Sequence, residues 1–360
     1  LLRHPLPRLM ARVGCLFLLA AILVTGLVTA ADAEQPTVPP PSLTEGWTRV
    51  VADGFGNPAN SHIVSTAEFN GRLYVSTMTA AAGQLVSGAR QSGAEIWVTS
   101  DGVTWEQVGR PGLGDAHNIM FDLMVFNGEL YAVSTNLGGH GFEIWATSDG
   151  QEFNRREKPG FGDARSTSAV PLVFGGRLIL AIANQQTGVQ IWASEDGRSF
   201  TQVVSGGLGV PGTVSALRPG TAAGAQAVFQ GQLYLGILNP KVGGEIWRTA
   251  DGLHWEQVAK EGLGMGDRMS LIPAVVFKDS LYVFGLREGD APRGFDLLRS
   301  GDGLSWETVI EYGFELGKGA NVAGELVEFG GRLYLATRNS DPRPVIPDGE
   351  EERFRPQGFQ

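Results

Sequence analysis

Polar side chains recur at two fixed positions along this chain. Five residues after each of six Tyr or Ile anchors stand Thr79, Asn136, Asn184, Asn239, Arg287 and Asn339. Nine residues before each of six phenylalanines stand Asn60, His117, Arg165, Gly220, Arg268 and Ala320. A carboxamide offers both donors and acceptors, and a guanidinium grips a planar anion with a fork of donors. Brought to one mouth, Asn60, His117, Asn136, Arg165, Asn184, Asn239, Arg268, Arg287 and Asn339 would hydrogen-bond sugar hydroxyls or an anionic group. The competing reading is local: Asn tolerates left-handed backbone and caps turns, so it can simply end a strand. Arg is no turn former, which gives Arg165 and Arg268 the stronger claim to a ligand.

Carboxylates recur too. Asp101, Asp149, Asp196, Asp251 and Asp302 each precede a glycine. A short carboxylate there accepts backbone N–H bonds while Gly takes positive φ, so the five read as turn residues rather than as a metal or catalytic array. Asp53, Asp115 and Asp163 lie in the Gly-rich phrases "DGFGNPAN", "PGLGDAHN" and "PGFGDARS". Together with backbone carbonyls they could hold Ca²⁺; no other cofactor is expected. A Gly-rich phosphate cradle needs a helix N-terminus behind it, and a strand follows each of these phrases.

The elements that carry these residues are written repeatedly. "GAEIWVTSDGVTWEQV" from Gly93 returns in variant form from Gly141, Gly188, Gly243 and Gly294. A second phrase, "AEFNGRLYVST" from Ala67, returns around Phe126, Phe174, Phe229, Phe277 and Phe329 at spacings of 57, 48, 55, 48 and 52. A period near fifty marks a repeat array. Inside each repeat the periodicity is two, β-branched and aromatic residues dominate, and "NG", "GG" or "KD" supplies a tight hairpin turn. Each repeat therefore predicts four short antiparallel strands: a ending at Phe, b over "LYVST", c over "EIW", d over "TWEQV". All eight tryptophans are expected in strands c or d, buried between repeats. Sheets this small bury their faces on one another when set radially. The expected fold is all-β, a six-bladed β-propeller of four-stranded antiparallel blades whose last blade is incomplete in this chain.

The segments "TSDGVTW", "SEDGRSF" and "SGDGLSW" resemble the Asp box of sialidase-like β-propellers, Ser-x-Asp-x-Gly-x-Thr-Trp, with Asp and Gly adjacent here where the family separates them. The resemblance spans about residues 45–340 as repeat architecture. It implies a propeller. It does not carry over the family's early Phe/Tyr-Arg-Ile-Pro strand, its arginine triad or its Tyr/Glu pair; Glu311 and Tyr312 adjoin without an arginine frame.

Composition narrows the setting. A basic start (Arg3, Arg8, Arg12), an apolar run of about 16 residues and Ala31-Asp32-Ala33 read as a signal peptide over 1–33. The run is short for a membrane span, which wants roughly 20 residues. Residues 34–44 read as a proline-rich linker and 45–360 as the propeller. The only cysteine, Cys15, falls in the leader, so the mature chain has neither disulfide nor thiol nucleophile. Removing the leader takes three Arg and one Asp and moves the net charge from −10 to −12. So acidic a chain lacks the clustered cations that nucleic acid requires. A secreted or periplasmic monomer is expected, with no membrane span in the mature chain.

The a–b and c–d turns are minimal, whereas the b–c and d–a loops vary, so the working face is the latter. Long loops precede Gly93, follow Arg338 and lead into the fourth repeat. The strand around Trp47 lacks partners before it and is expected to close the last blade. "GFQ" at 358–360 aligns with the opening of a strand c, which reads as a copy cut short. Two function classes follow. One is a binding module for a glycan or an extracellular protein. The alternative is a sialidase-like glycoside hydrolase or lyase, which needs paired carboxylates roughly 5–10 Å apart; Asp122, Glu288, Asp290 and Glu315 are its candidates.

Overall fold

The computed structural model describes residues 49–79, 92–184, 186–208, 214–215, 226–239, 241–265, 268–287, 294–315 and 323–338. The expected leader and linker, the Trp47 strand, Asn339 and the segment to Gln360 lie outside these residues, as do Glu288 and Asp290.

The described residues are nearly all β, built of successive antiparallel units in which strands pair with their chain neighbours, with single helical turns at Glu261–Gly264 and Tyr312–Glu315. The first unit comprises Asn60–Phe69, Arg72–Thr79, Ile96–Thr99 and Glu106–Val108. The second comprises Asn118–Phe126, Glu129–Asn136, Ile144–Thr147 and Asn154–Arg155. The third is Ser166–Phe174, Arg177–Asn184, Gly188–Ser194 and Thr201–Leu208. In the fourth, Val214–Ser215 and Gln226–Phe229 share one edge of Gln232–Leu238, followed by Glu245–Thr249 and Glu256–Ala259. The fifth is Arg268–Phe277, Ser280–Arg287, Phe295–Ser300 and Glu307–Ile310. A sixth unit contributes the hairpin Ala323–Phe329 with Arg332–Arg338.

The hairpins form as their turn residues dictate. Asn70 and Gly71 have φ of 51° and 70°, and Asn127 and Gly128 have 47° and 74°. Two left-handed residues in a row match the twist of the flanking strands. Second strands of the first five units are largely buried on both faces, as in Leu130–Ser134. They therefore read as apolar runs, while outer strands such as Glu106–Val108 keep exposed acids.

The cores lie between units. Phe69, Tyr74, Ile96 and Val98 of the first unit pack with Phe121, Leu123 and Leu130 of the second. Similar clusters join the second to the third, the third to the fourth, the fourth to the fifth, and the fifth to Leu326 of the sixth. No unit buries enough apolar surface alone, so each sheet's stability depends on its neighbours.

The tryptophans divide into two sets. Trp97, Trp145, Trp192 and Trp247 occupy third strands but are only partly buried. Trp105, Trp255 and Trp306 stand just ahead of the fourth strands rather than in them. Two of the third-strand rings cover the Gly-rich phrases: Phe55 stacks on Trp97 at 4.8 Å and Phe161 on Trp192 at 4.1 Å between centroids.

A candidate binding rim

The Gly-rich phrases at Pro111–Gly114 and Pro159–Gly162 each fold as a single tight turn between the outer strand of one unit and the inner strand of the next. Within Pro111–Gly114, Gly112 and Leu113 are both left-handed (φ 65° and 50°), and Pro159–Gly162 repeats this at Gly160 and Phe161 (57° and 53°). The turn is sewn to the third strand: Gly112 N–H donates to the Ala94 carbonyl and Ala94 N–H to that of Asn118. The aspartate ending the turn then organises a basic side chain two residues later.

In the second unit Asp115 Oδ1 lies 2.9 Å from His117 Nδ1 and also accepts the His117 backbone N–H. Burial pushes the Asp115 carboxyl up, but bonds from the His117 backbone and ring and from Asn136 outweigh it and hold the group below its usual range. In the third unit Asp163 accepts from Arg165 Nε at 2.8 Å and Nη2 at 3.0 Å. That guanidinium is the main reason its carboxyl falls to about 2. Both bases stay open to solvent, with side-chain exposures of 45% for His117 and 55% for Arg165. The Asp115 carboxylate can only accept, so His117 Nδ1 carries the hydrogen of this bond. His140 stands edge-on to that ring, centroids 6.3 Å apart.

The asparagines lie beneath this surface. Asn136 is fully buried; its amide N–H groups donate to Asp115 Oδ2 at 3.0 Å and Asn118 Oδ1 at 2.8 Å, and its oxygen accepts from Gly138 N. Asn184 makes the equivalent bonds to Asp163 and Ser166 and accepts from Gln186 and Thr187. Asn239, also buried, donates to Glu245 Oε1 at 2.6 Å. Asn60 donates to Glu95 and accepts from Thr77. Arg287 is buried against Asp296, at 2.7 Å from Nη2, with its guanidinium 4.3 Å over the Tyr312 ring. Arg268 pairs with Arg287 in backbone register; its side chain and that of Asp53 lie outside the described residues. Of the nine residues singled out from sequence, His117 and Arg165 are thus the two whose described side chains face solvent. Asn136 and Asn184 support them through Asp115 and Asp163.

One set of residues was not anticipated. Glu95, Glu143, Gln190, Glu245 and Asp296 occupy one repeat position in, or immediately ahead of, five third strands, all buried. Glu143 accepts from Asn118 Nδ2 at 2.7 Å, Trp145 Nε1 at 3.0 Å and Arg155 Nη1 at 3.0 Å. Glu95 likewise takes Asn57, Asn60 and Trp97. The signal was present as the first letter of "EIW", "QIW" and "DLL", where a strand alternation hides one acid or amide per repeat.

The five turn aspartates act locally. Asp101 Oδ1 accepts from Val103 N at 2.8 Å and Thr104 N at 2.7 Å, which brings its carboxyl down to about 2. Gly102 beside it has φ of 75°. The other four repeat these bonds. For calcium, Asp115 and Asp163 each serve their own unit, and among the described residues no three metal-ligating side chains converge.

Asp122 differs from all of these. It sits mid-strand, sharing with Met124 and Phe126 the face turned to the third unit. No described residue donates a hydrogen bond to it, and desolvation pushes its carboxyl up to about 7. A raised folded pKa means the folded state binds the proton more tightly. The penalty is absent below about pH 4, grows between about pH 4 and 7 and is complete above that. Asp122→Asn should therefore raise stability at pH 8 by about 1–2 kcal/mol, allowing for solvent screening, and leave it unchanged at pH 4. Urea unfolding at the two pH values measures this; an equal effect at both would contradict the assignment.

No protein-family model matches the sequence. No curated protein matches it at a significant level. Solved structures do align. A thermostable family-43 glycoside hydrolase is 12% identical, covering 80% of this chain and 97% of its own, with a TM-score of 0.37. Trypanosoma rangeli sialidase in complex with sialic acid is 13% identical over 78% of this chain and 52% of its own, TM-score 0.42. A prolyl endopeptidase is 13% identical over 78% and 40%, TM-score 0.43. At that level of likeness none of them bears on what this chain does. No helix among the described residues is long and apolar enough to cross a membrane.

Proposed function

We propose that this chain is a six-bladed β-propeller, exported as a monomer, whose loop rim binds a glycan. One observation carries the reading: adjacent units place a solvent-open base, His117 and Arg165, at the same position, each aimed by its own aspartate. Beneath each lies a saturated, buried asparagine. A side chain pre-set by buried hydrogen bonds loses little entropy when it meets a hydroxyl or carboxylate, which favours binding. The carboxylate beside each base limits net positive charge. That suits polyhydroxyl groups better than phosphates.

The test is a glycan array with the purified protein and a His117→Ala/Arg165→Ala variant. Binding to at least one glycan class is expected, weakened tenfold or more in the variant while its melting temperature holds. Binding that survives the double substitution, or absence of any glycan ligand beside capture of a surface protein, would sink the reading.

A hydrolytic reading rests on Asp122, whose carboxyl near pH 7 suits a general acid. It predicts turnover of aryl glycosides that disappears in Asp122→Asn; hydrolysis unaffected by that change would remove it.

A further inference from the structure

We infer that the seam between the second and third units holds a site for a small zwitterion, a free amino acid or dipeptide whose carboxylate meets Arg156 and Arg198 and whose ammonium meets Asp149 and Glu152. The site is independent of the glycan reading. Glu129 opens the strand that Asn136 closes, so the seam lies at the other end of that strand from the rim. The repeat itself points there. Two residues before the anchoring Tyr or Ile stand Arg72, Arg177, Gln232, Ser280 and Arg332 in the other units, but Glu129 in the second. Three residues after the aromatic that leads into the fourth strand stand Val108, Val203, Val258 and Val309, but Arg156 in the second. Directly after Asp-Gly stand Val103, Gln151, Leu253 and Leu304, but Arg198 in the third. Every unit solves the same packing problem, and the other units solve it without this trio. Three departures from the pattern that meet at one seam are not what the fold requires.

The three side chains form one cluster. Arg156 and Arg198 both donate to Glu129 Oε1, Arg198 at 3.2 Å, and the Tyr131 hydroxyl lies 3.2 Å from Glu129 Oε2. With Asp149, Glu152 and Asn154 they line a cleft of about 360 Å³, and small-molecule sites run from roughly 300 to 1,000 Å³. Glu129 and Arg156 are mostly buried, whereas the Arg198 side chain is 61% exposed and open to an incoming group. One carboxylate does not saturate two guanidiniums, each a fork of N–H donors. Arg156 Nε, for one, is buried without an acceptor among the described residues. Asp149 commits its Oδ1 to its own turn, accepting from Thr147, Gln151 and Glu152. The lining sets two positive charges, Arg156 and Arg198, against three negative ones, Glu129, Asp149 and Glu152, a net of −1. A bare anion would face that negative excess, and a bare cation would face the guanidiniums. A molecule that carries both charges answers both, each through charge-assisted hydrogen bonds.

Calorimetric titration of the purified protein tests the site, with the common L-amino acids and glycylglycine as ligands and with propionate and ethylamine as their halves. At least one zwitterion should bind with a Kd below about 1 mM, and each half should bind roughly tenfold more weakly or worse. Arg198→Ala should weaken that binding roughly tenfold while moving the melting temperature by less than about 2 °C, because an exposed ion pair contributes little to stability. Glu129→Arg, Arg156→Val and Arg198→Leu together put at each position a residue that the repeat uses elsewhere, and should abolish binding in a protein that still folds. His117→Ala/Arg165→Ala should leave amino-acid binding unchanged. The site is overturned if no zwitterion binds, if propionate or ethylamine binds as tightly as the best zwitterion, or if binding survives Arg198→Ala. Amino-acid binding lost in the His117→Ala/Arg165→Ala variant would overturn the assignment to this seam. Glycan binding that persists in any of these cases leaves the rim reading standing.

Discussion

Gly141→Ala should destabilise the protein by at least about 3 kcal/mol in urea unfolding, among the largest losses any single methyl can cause here. Gly141 has φ of 91°, and a Cβ on it would lie 2.7 Å from Gly160 Cα, 2.8 Å from Gly160 N and 3.2 Å from the Asp163 carbonyl. Those atoms are backbone and cannot rotate away. Gly160 N–H donates to the Phe142 carbonyl and Phe142 N–H to that of Ser166, so moving either segment breaks the stitch that holds the rim turn. The same crossing recurs at Gly93 over Gly112 and at Gly243 over Gly262. Gly139→Ala provides the comparison, since φ is 79° there but nothing lies within 4 Å. It should lose only about 1 kcal/mol, the left-handed strain itself. Similar losses at the two sites would show that the close approach is not what Gly141 serves.

Glu143→Ala is expected to cost about 3 kcal/mol or more, and Glu143→Gln less than half of that. The carboxylate is 5% exposed and gathers donors from three elements: the inner strand through Asn118, its own strand through Trp145 and the outer strand through Arg155. Truncation leaves those donors buried without acceptors and opens a cavity between them. An amide keeps one oxygen, and the third unit shows this working, with Gln190 accepting from Trp192 Nε1 at 3.3 Å. The loss should also reach the rim, because Asn118 is the acceptor for Asn136, and Asn136 in turn holds Asp115. His117 should then lose its fixed tautomer, visible as a changed imidazole shift by NMR. An unshifted His117 in a folded Glu143→Ala protein would show that the network does not reach the surface.

Much of the architecture was legible in the sequence because it is written in local chemistry. Phe-Asn-Gly announces a two-residue hairpin through backbone preference alone, and Asn70 and Gly71 adopt it. Asp-Gly announces its turn likewise, since the backbone N–H groups that donate to the carboxylate lie two and three residues on. Period-two alternation gave the strands, and repetition gave the units. The Gly-rich turn was visible as a crossover. The left-handed residues beside its glycines, Phe55, Leu113 and Phe161, were not, because a bulky residue adopts that backbone only when packing holds its ring, as the Phe55–Trp97 and Phe161–Trp192 stacks do.

The sequence by itself therefore determined the class of fold, the repeat, the hairpins and the face on which residues vary, all properties of short range or simple period. Only the tertiary structure decided which polar residues meet solvent. His117 and Asn136 are equally polar and equally periodic, but one stands at the surface and the other is sealed under it. That difference is set by the bonds among Asp115, Asn118 and Glu143, whose positions span three elements. Burial is a property of neighbours, and no spacing along one strand encodes which neighbour arrives from the next.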